Sequence, residues 1–212
     1  MTPVPFNSFF SFDGIDGVGK STQIGLFCDE MRAREYEVVT CRDPGSTPLG
    51  ERIREILLST DTGHPISRRS EMLLYMAARA QLVEEIIRPA LAAGKVVVSD
   101  RFVLANLVYQ GYAGGLDVEE IRNVARVATA GLMPDCVFLL DMRPEAADMR
   151  MKRELDRMES QGADYRQRLR DGFLAEAAQS KGCIHIVDAT QPVEAVQADI
   201  WRIAAKLLNV TE

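Results

Sequence analysis

The chain has 212 residues, of which 47% are hydrophobic and 26% charged, and its 31 acidic residues outnumber 25 basic ones for a formal net charge of −6. That length and apolar share suit one soluble globular domain with a sizeable core, and no apolar run approaches the roughly 18 residues of a membrane span. The acidic balance argues against a polyelectrolyte binder of nucleic acid and for a small partner, while a local basic cluster such as 150 to 157 is still suited to gripping an anion.

At the amino end, MTPVPFNS lacks the basic n-region and apolar h-region of a signal peptide, which leaves the cytoplasm as the expected location. SFFSFD (8 to 13) reads as a first strand, followed by a glycine-rich loop and a helical pattern over 21 to 34. YEVVTC (36 to 41) reads as a second strand; a DPGST turn, a charged helix and a long helical pattern over 70 to 93 come after it. KVVVSD (95 to 100), CVFLLD (136 to 141) and CIHIVDA (183 to 189) complete five strands, with helical patterns over 117 to 130 and 193 to 208 between and after them. Such alternation predicts an α/β fold, a five-stranded parallel sheet with helices on both faces and its site at the carboxyl ends of the strands. No linker, repeat or low-complexity tract divides residues 1 to 212, so one domain is expected. Cys28, Cys41, Cys136 and Cys183 form no CxxC pair and read as reduced packing residues, and with only His64 and His185 present no histidine metal cluster is expected.

The glycine-rich loop carries the chemistry. GIDGVGKS (14 to 21) has the glycine, lysine and serine spacing of a phosphate loop, and it sits between a strand and a helix as that loop requires. Gly14, Gly17 and Gly19 keep backbone N–H groups free to surround phosphate oxygens, and the helix N-terminus adds partial positive charge. Lys20 is placed to neutralise β and γ oxygens, Ser21 to ligate Mg²⁺ and Thr22 to hold a further phosphate oxygen, so the expected ligand is a nucleotide with its metal. Neither an NKxD guanine motif nor a DxxG loop is present, which speaks against a switch GTPase. Basic residues at other strand ends suit a second, phosphorylated substrate instead.

Taken together the motifs resemble those of the thymidylate kinases, in order and over nearly the whole chain. The phosphate loop preceded by Phe-Asp, RDPGSTPLGERIR (42 to 54), SDRF (99 to 102), YQGY (109 to 112), ELDRME (154 to 159) and DATQP (188 to 192) are each similar to a segment of that family. The resemblance implies a P-loop NTPase fold with a small mobile lid at about 148 to 162, ATP as phosphoryl donor, dTMP as acceptor, Mg²⁺, and a homodimer, with no role for nucleic acid or membrane. It places Arg101 and Arg54 on the dTMP phosphate and Asp16 near that phosphate and the metal. Asp100 either reaches magnesium through water or caps the next helix. Tyr75 and Arg79 stand four apart on one helical face, suited to stacking on a pyrimidine and donating to its O4. Asn106, Tyr109 and Gln110 are similar to residues touching base and deoxyribose, with Gln110 and Arg79 reading the thymine.

The lid departs from the pattern. Relatives with glycine inside the phosphate loop, as Gly17 is here, usually take their transition-state cation from the lid. Lys152 holds the common position, with Arg150 and Arg153 beside it, and Arg153 is the expected catalytic residue because its planar fork can bridge transferring oxygens. Smaller departures are Asp43 for a usual Glu, Ser46 for Gly, Ala105 for Ser and Gly114 for Arg.

Overall fold

The computed structural model describes residues 8–59, 65–151 and 162–208. The five apolar runs form β1 (Phe9–Asp13), β2 (Val38–Arg42), β3 (Val96–Asp100), β4 (Cys136–Asp141) and β5 (Ile184–Asp188). All pair in parallel, in the order β2-β3-β1-β4-β5. This is the sheet the alternation predicts, and each return between parallel strands runs through helix.

Successive residues of β1 face opposite sides of the sheet, so one strand feeds two cores. Phe10 and Phe12 join Phe27 and Phe138 on one side, under α1 (Lys20–Ala33) and α9 (Val193–Leu207), while α8 (Ala163–Gln179) lies over Ser11, Val137 and Ile184 on the other. Phe9 turns the other way, its ring edge-on to Phe102 at 5.0 Å, under α3 (Arg68–Leu82), α4 (Arg88–Ala92) and α6 (Val118–Thr129). Shorter helices complete the chain: α2 (Pro48–Leu58), α5 (Val103–Asn106) and α7 (Pro144–Arg150).

The single helical pattern expected over 70 to 93 is an α-helix, a π-helical turn at Val83–Ile87 and a second α-helix. Pro89 accounts for the change, since its ring and missing N–H are incompatible with a regular turn reaching back to Glu85. A second π-helical turn, Leu107–Tyr112, continues α5. Helix α8 breaks the apolar spacing because Arg166 and Glu176 are buried on it beside Tyr165, Leu169 and Phe173.

Three helix starts are closed by side chains: Thr47 Oγ1 accepts from Gly50 N on α2, Ser67 Oγ from Ser70 N on α3, and Asp117 Oδ1 from the amides of Glu119 and Glu120 on α6. Helix α1 instead starts from Gly19, with no side-chain cap and no acidic residue in its first turn. Its first amides therefore keep their capacity for another acceptor. The strands end on Asp13, Arg42, Asp100, Asp141 and Asp188, which makes the carboxyl edge of the sheet a charged rim around that helix start.

Candidate active site

The loop after β1 packs too tightly for any side chain but hydrogen at two of its glycines. A Cβ on Gly14 would lie 2.5 Å from the Leu140 carbonyl oxygen, and one on Gly17 would lie 2.5 Å from that of Ala147; both residues have φ between +80° and +140°. Lys20, 7% exposed, donates through Nζ to the carbonyls of Gly14 at 3.0 Å and Ile15 at 2.9 Å, with Asp16 Oδ1 at 3.5 Å. Ser21 and Thr22 are exposed on the first turn of α1. The loop lines a cleft of about 890 Å³ together with Arg42, Asp43, Arg54, Asp100 and Arg101.

Arg101 reaches the loop from the end of β3. It adopts φ 66°, a left-handed conformation that costs a non-glycine residue about 1–2 kcal/mol. Its N–H donates to Phe12 O at 2.9 Å and its carbonyl accepts from Ser99 Oγ at 2.6 Å, so the turn is pinned at both ends. The guanidinium then meets Asp16 Oδ1 at 2.5 Å and the Gly14 carbonyl at 3.0 Å, and lies 5.1 Å from the centre of the Tyr109 ring. Tyr109 Oη donates to the other oxygen of Asp16 at 3.1 Å. Burial by itself raises the Asp16 carboxyl, but Arg101 and then Lys20 outweigh it and hold it well below the usual carboxylate range. Lys20 is pushed down by burial and by Arg101, against the pull of Asp16.

Asp13 sits one residue before the loop, wholly buried, with Oδ1 lacking a partner among the described residues. Burial pushes its carboxyl up to about 6, against Arg101 and Lys20. A raised folded value means the native state binds the proton more readily than the unfolded chain, so this contribution to stability is complete below about pH 3.8 and is lost as pH rises through about 6. Urea unfolding from pH 4 to 7 should therefore show Asp13→Asn gaining on the wild type as pH rises; a gap independent of pH would contradict it.

Arg54, on α2, lines the cleft and donates to the Pro44 carbonyl at 3.0 Å; burial and Arg42 lower its affinity for its proton. Arg79 is 1% exposed and is tied into the structure by Nε to Asp43 Oδ2 at 2.5 Å, Nη1 to Met76 Sδ at 3.1 Å and Nη2 to the Phe102 carbonyl at 3.2 Å. These contacts use three of the five N–H groups a guanidinium carries. Tyr75, expected to share its face, packs half-buried with Ile53, Leu57 and Ala78 between α2 and α3. Arg79 thus joins the turn after β2 to the turn after β3, whatever else it does. Asp43 is raised by burial and held down by Arg79, so Arg79→Ala strands a buried carboxylate and should cost about 3–5 kcal/mol in urea unfolding. Unchanged stability would show that the pair is not structural.

Asn106 and Gln110 are buried, with Asn106 Nδ2 donating to Gln110 Oε1 at 2.7 Å and Gln110 Nε2 donating to Glu71 Oε1 at 3.0 Å. Neither they nor Tyr75, Arg79 and Tyr109 are among the residues lining the 890 Å³ cleft, which is built from the loop, Arg54, Asp100 and Arg101. Helix α5 begins at Val103 behind Phe102 with no side-chain cap, and Asp100 lines the cleft with Oδ1 buried and unpartnered among the described residues.

The far end of the cleft is lined by Arg150, Ala189, Gln191 and Val193, and Arg150 Nη1 donates to the Ala189 carbonyl at 3.1 Å. Lys152, Arg153 and the ELDRME segment lie outside the described residues. Arg166 escaped the sequence reading. It is 6% exposed and its Nη2 bridges Asp148 on α7 at 2.7 Å and the carbonyl of Asp16 at 3.2 Å, bracing the phosphate loop from α8. Four residues on, Arg170 grips Asp141 at the end of β4 with two bonds of 2.7 Å. The signal was DYRQRLR (164 to 170), two arginines on one helical face, which apolar spacing passes over.

A glycine loop delivered by the central strand of a parallel sheet onto an uncapped helix start is the P-loop architecture, and its class is set by the second cationic wall across the cleft, which suits kinases. The family model described as thymidylate kinase matches residues 12–200. Thymidylate kinase of Exiguobacterium sibiricum is 42% identical over 207 residues, covering 97% of each chain, and that of Symbiobacterium thermophilum is 44% identical over 201 residues, covering 94% of each. The crystal structure of thymidylate kinase from Ehrlichia chaffeensis superposes with a TM-score of 0.77 at 28% identity, over 94% of this chain and 99% of that one. The chain belongs to the thymidylate kinase family, and it is an enzyme of the nucleoside monophosphate kinase class. Among the described residues no helix is long and apolar enough to cross a membrane.

Proposed function

We propose that the protein transfers the γ-phosphoryl group of ATP to dTMP, giving ADP and dTDP on the way to dTTP, with Mg²⁺ required. The observation that carries this reading is the pairing of Arg101 with Asp16 across the mouth of the phosphate loop, which sets a second set of phosphate-binding groups against the first inside one cleft. Phosphoryl transfer needs two anionic substrates in line and their charge neutralised, with little covalent chemistry from the protein. The backbone amides of the loop and Lys20 take the donor phosphates, Thr22 adds a hydroxyl, and the end of the cleft at Arg150, Ala189 and Gln191 takes the donor base. Arg101 and Arg54 hold the acceptor phosphate, with Asp16 orienting Arg101.

The residues fit magnesium. Ser21 and Asp100 both line the cleft and offer hard oxygens, one of them Asp100 Oδ1, unpartnered among the described residues. Among the described residues no group of three or more His, Cys, Asp and Glu forms a cage, and magnesium characteristically takes one or two protein oxygens and completes its shell with water and phosphate. Held by Ser21 and Asp100, magnesium would supply positive charge against the donor phosphates. Steady-state turnover of ATP against dTMP, dUMP, dCMP, dGMP and AMP tests the reading: dTMP should lead, and a different best acceptor would overturn it.

A further inference from the structure

Glu71, Gln110 and Asn106 form a hydrogen-bond chain that runs in one direction. All three are buried, at 0%, 1% and 2% exposure. Glu71, paired with Arg68 at 3.8 Å, is a carboxylate and only accepts. The Gln110 atom facing it must therefore be the amide nitrogen, which leaves Gln110 Oε1 facing Asn106. That oxygen in turn requires the Asn106 nitrogen, at 2.7 Å. The polarity of both amides thus follows from the carboxylate. The chain ends on Asn106 Oδ1, buried and without a partner among the described residues. Buried acceptors are nearly always satisfied, so this one calls for a donor from outside the protein. Asn106 ends α5, which is separated from Arg101 of the cleft wall by Phe102 alone.

We propose that Glu71 is a positioning residue for base selection: acting through Gln110, it fixes Asn106 as an acceptor toward the acceptor base and so selects an N3–H imide over a ring nitrogen that carries a lone pair. Resting on the dTMP reading above, the inference assigns the rejection of cytosine to a residue that does not touch the base. Cytosine N3 brings a lone pair against Asn106 Oδ1, whereas thymine and uracil N3 both donate. The 5-methyl group plays no part in this selection.

Glutamine at position 71 can donate as well as accept, so both amides become free to turn and Asn106 can offer an N–H to cytosine. In Glu71→Gln and Glu71→Leu, the ratio of kcat/KM for dTMP to that for dCMP should fall by about tenfold to a hundredfold, while the ratio of dTMP to dUMP stays as in the wild type. An unchanged dTMP to dCMP ratio in folded protein overturns the proposal. So does a parallel fall in both ratios, which marks general loosening. If neither Glu71 variant folds, Asn106→Leu removes the terminal acceptor directly and must narrow the same ratio; a preserved ratio there overturns it. Wild type that fails to phosphorylate dTMP sinks the underlying reading, a result distinct from a preserved ratio in the variants.

Discussion

Lys20→Met should lower turnover about a hundred- to a thousandfold while leaving a folded protein. The ammonium is 7% exposed and sits among the Gly14 and Ile15 carbonyls and Asp16, with Arg101 and burial both acting against its charge. Methionine fills a similar volume without that charge, so folding loses two hydrogen bonds, about 1–3 kcal/mol, and sheds a desolvated cation. On the proposed reaction, catalysis would lose the group that offsets charge gathering on the donor phosphates. Separating the two takes paired measurements, turnover with saturating ATP and dTMP, and urea unfolding. Near-normal turnover in a folded variant would remove Lys20 from the chemistry.

Arg101 should be worth as much, with a different signature. Its guanidinium holds Asp16, supports the Gly14 carbonyl and stacks near Tyr109, and its strained turn is held by Phe12 and Ser99. Arg101→Ala should reduce kcat/KM for dTMP by about a thousandfold, mostly through the acceptor, because Lys20 and the loop amides still serve ATP. Arg101→Lys keeps the charge and loses the planar fork, so it should recover only part of the loss. Asp16 should also rise toward an ordinary carboxylate once its strongest stabilising neighbour is gone. Unaltered dTMP kinetics in Arg101→Ala would place the acceptor phosphate elsewhere.

The residues that could be read from sequence are those whose role is set by neighbours in the chain. Gly14 to Ser21 could be recognised because strand, loop and helix are contiguous there, and the buried parallel strands appear as unbroken apolar runs. The ends of those runs blurred: Tyr36 and Glu37 precede β2, and Arg42 belongs to it. What stayed hidden depends on contacts distant in sequence. The ion pair of Arg79 was hidden because its partner Asp43 lies 36 residues away, just past the end of β2. Glu71 meets Gln110 across 39 residues, and Arg166 meets Asp16 across 150. No local pattern carries such pairings. Helix α8 shows the related difficulty, since a helix that buries arginine and glutamate does not announce its inner face by hydrophobicity.

Phosphorus NMR of the reaction is the direct test of the proposed transfer of a phosphoryl group between two nucleotides in one cleft. With the protein, Mg²⁺, ATP and dTMP together, the spectrum should lose the γ resonance of ATP and the monophosphate resonance of dTMP, and gain two diphosphates, ADP and dTDP, in equal amounts. Chelating the metal should stop the change. Growth of an inorganic phosphate signal with dTMP unchanged would contradict the account, because the phosphoryl group would then be passing to water and the second cationic wall would not be an acceptor site.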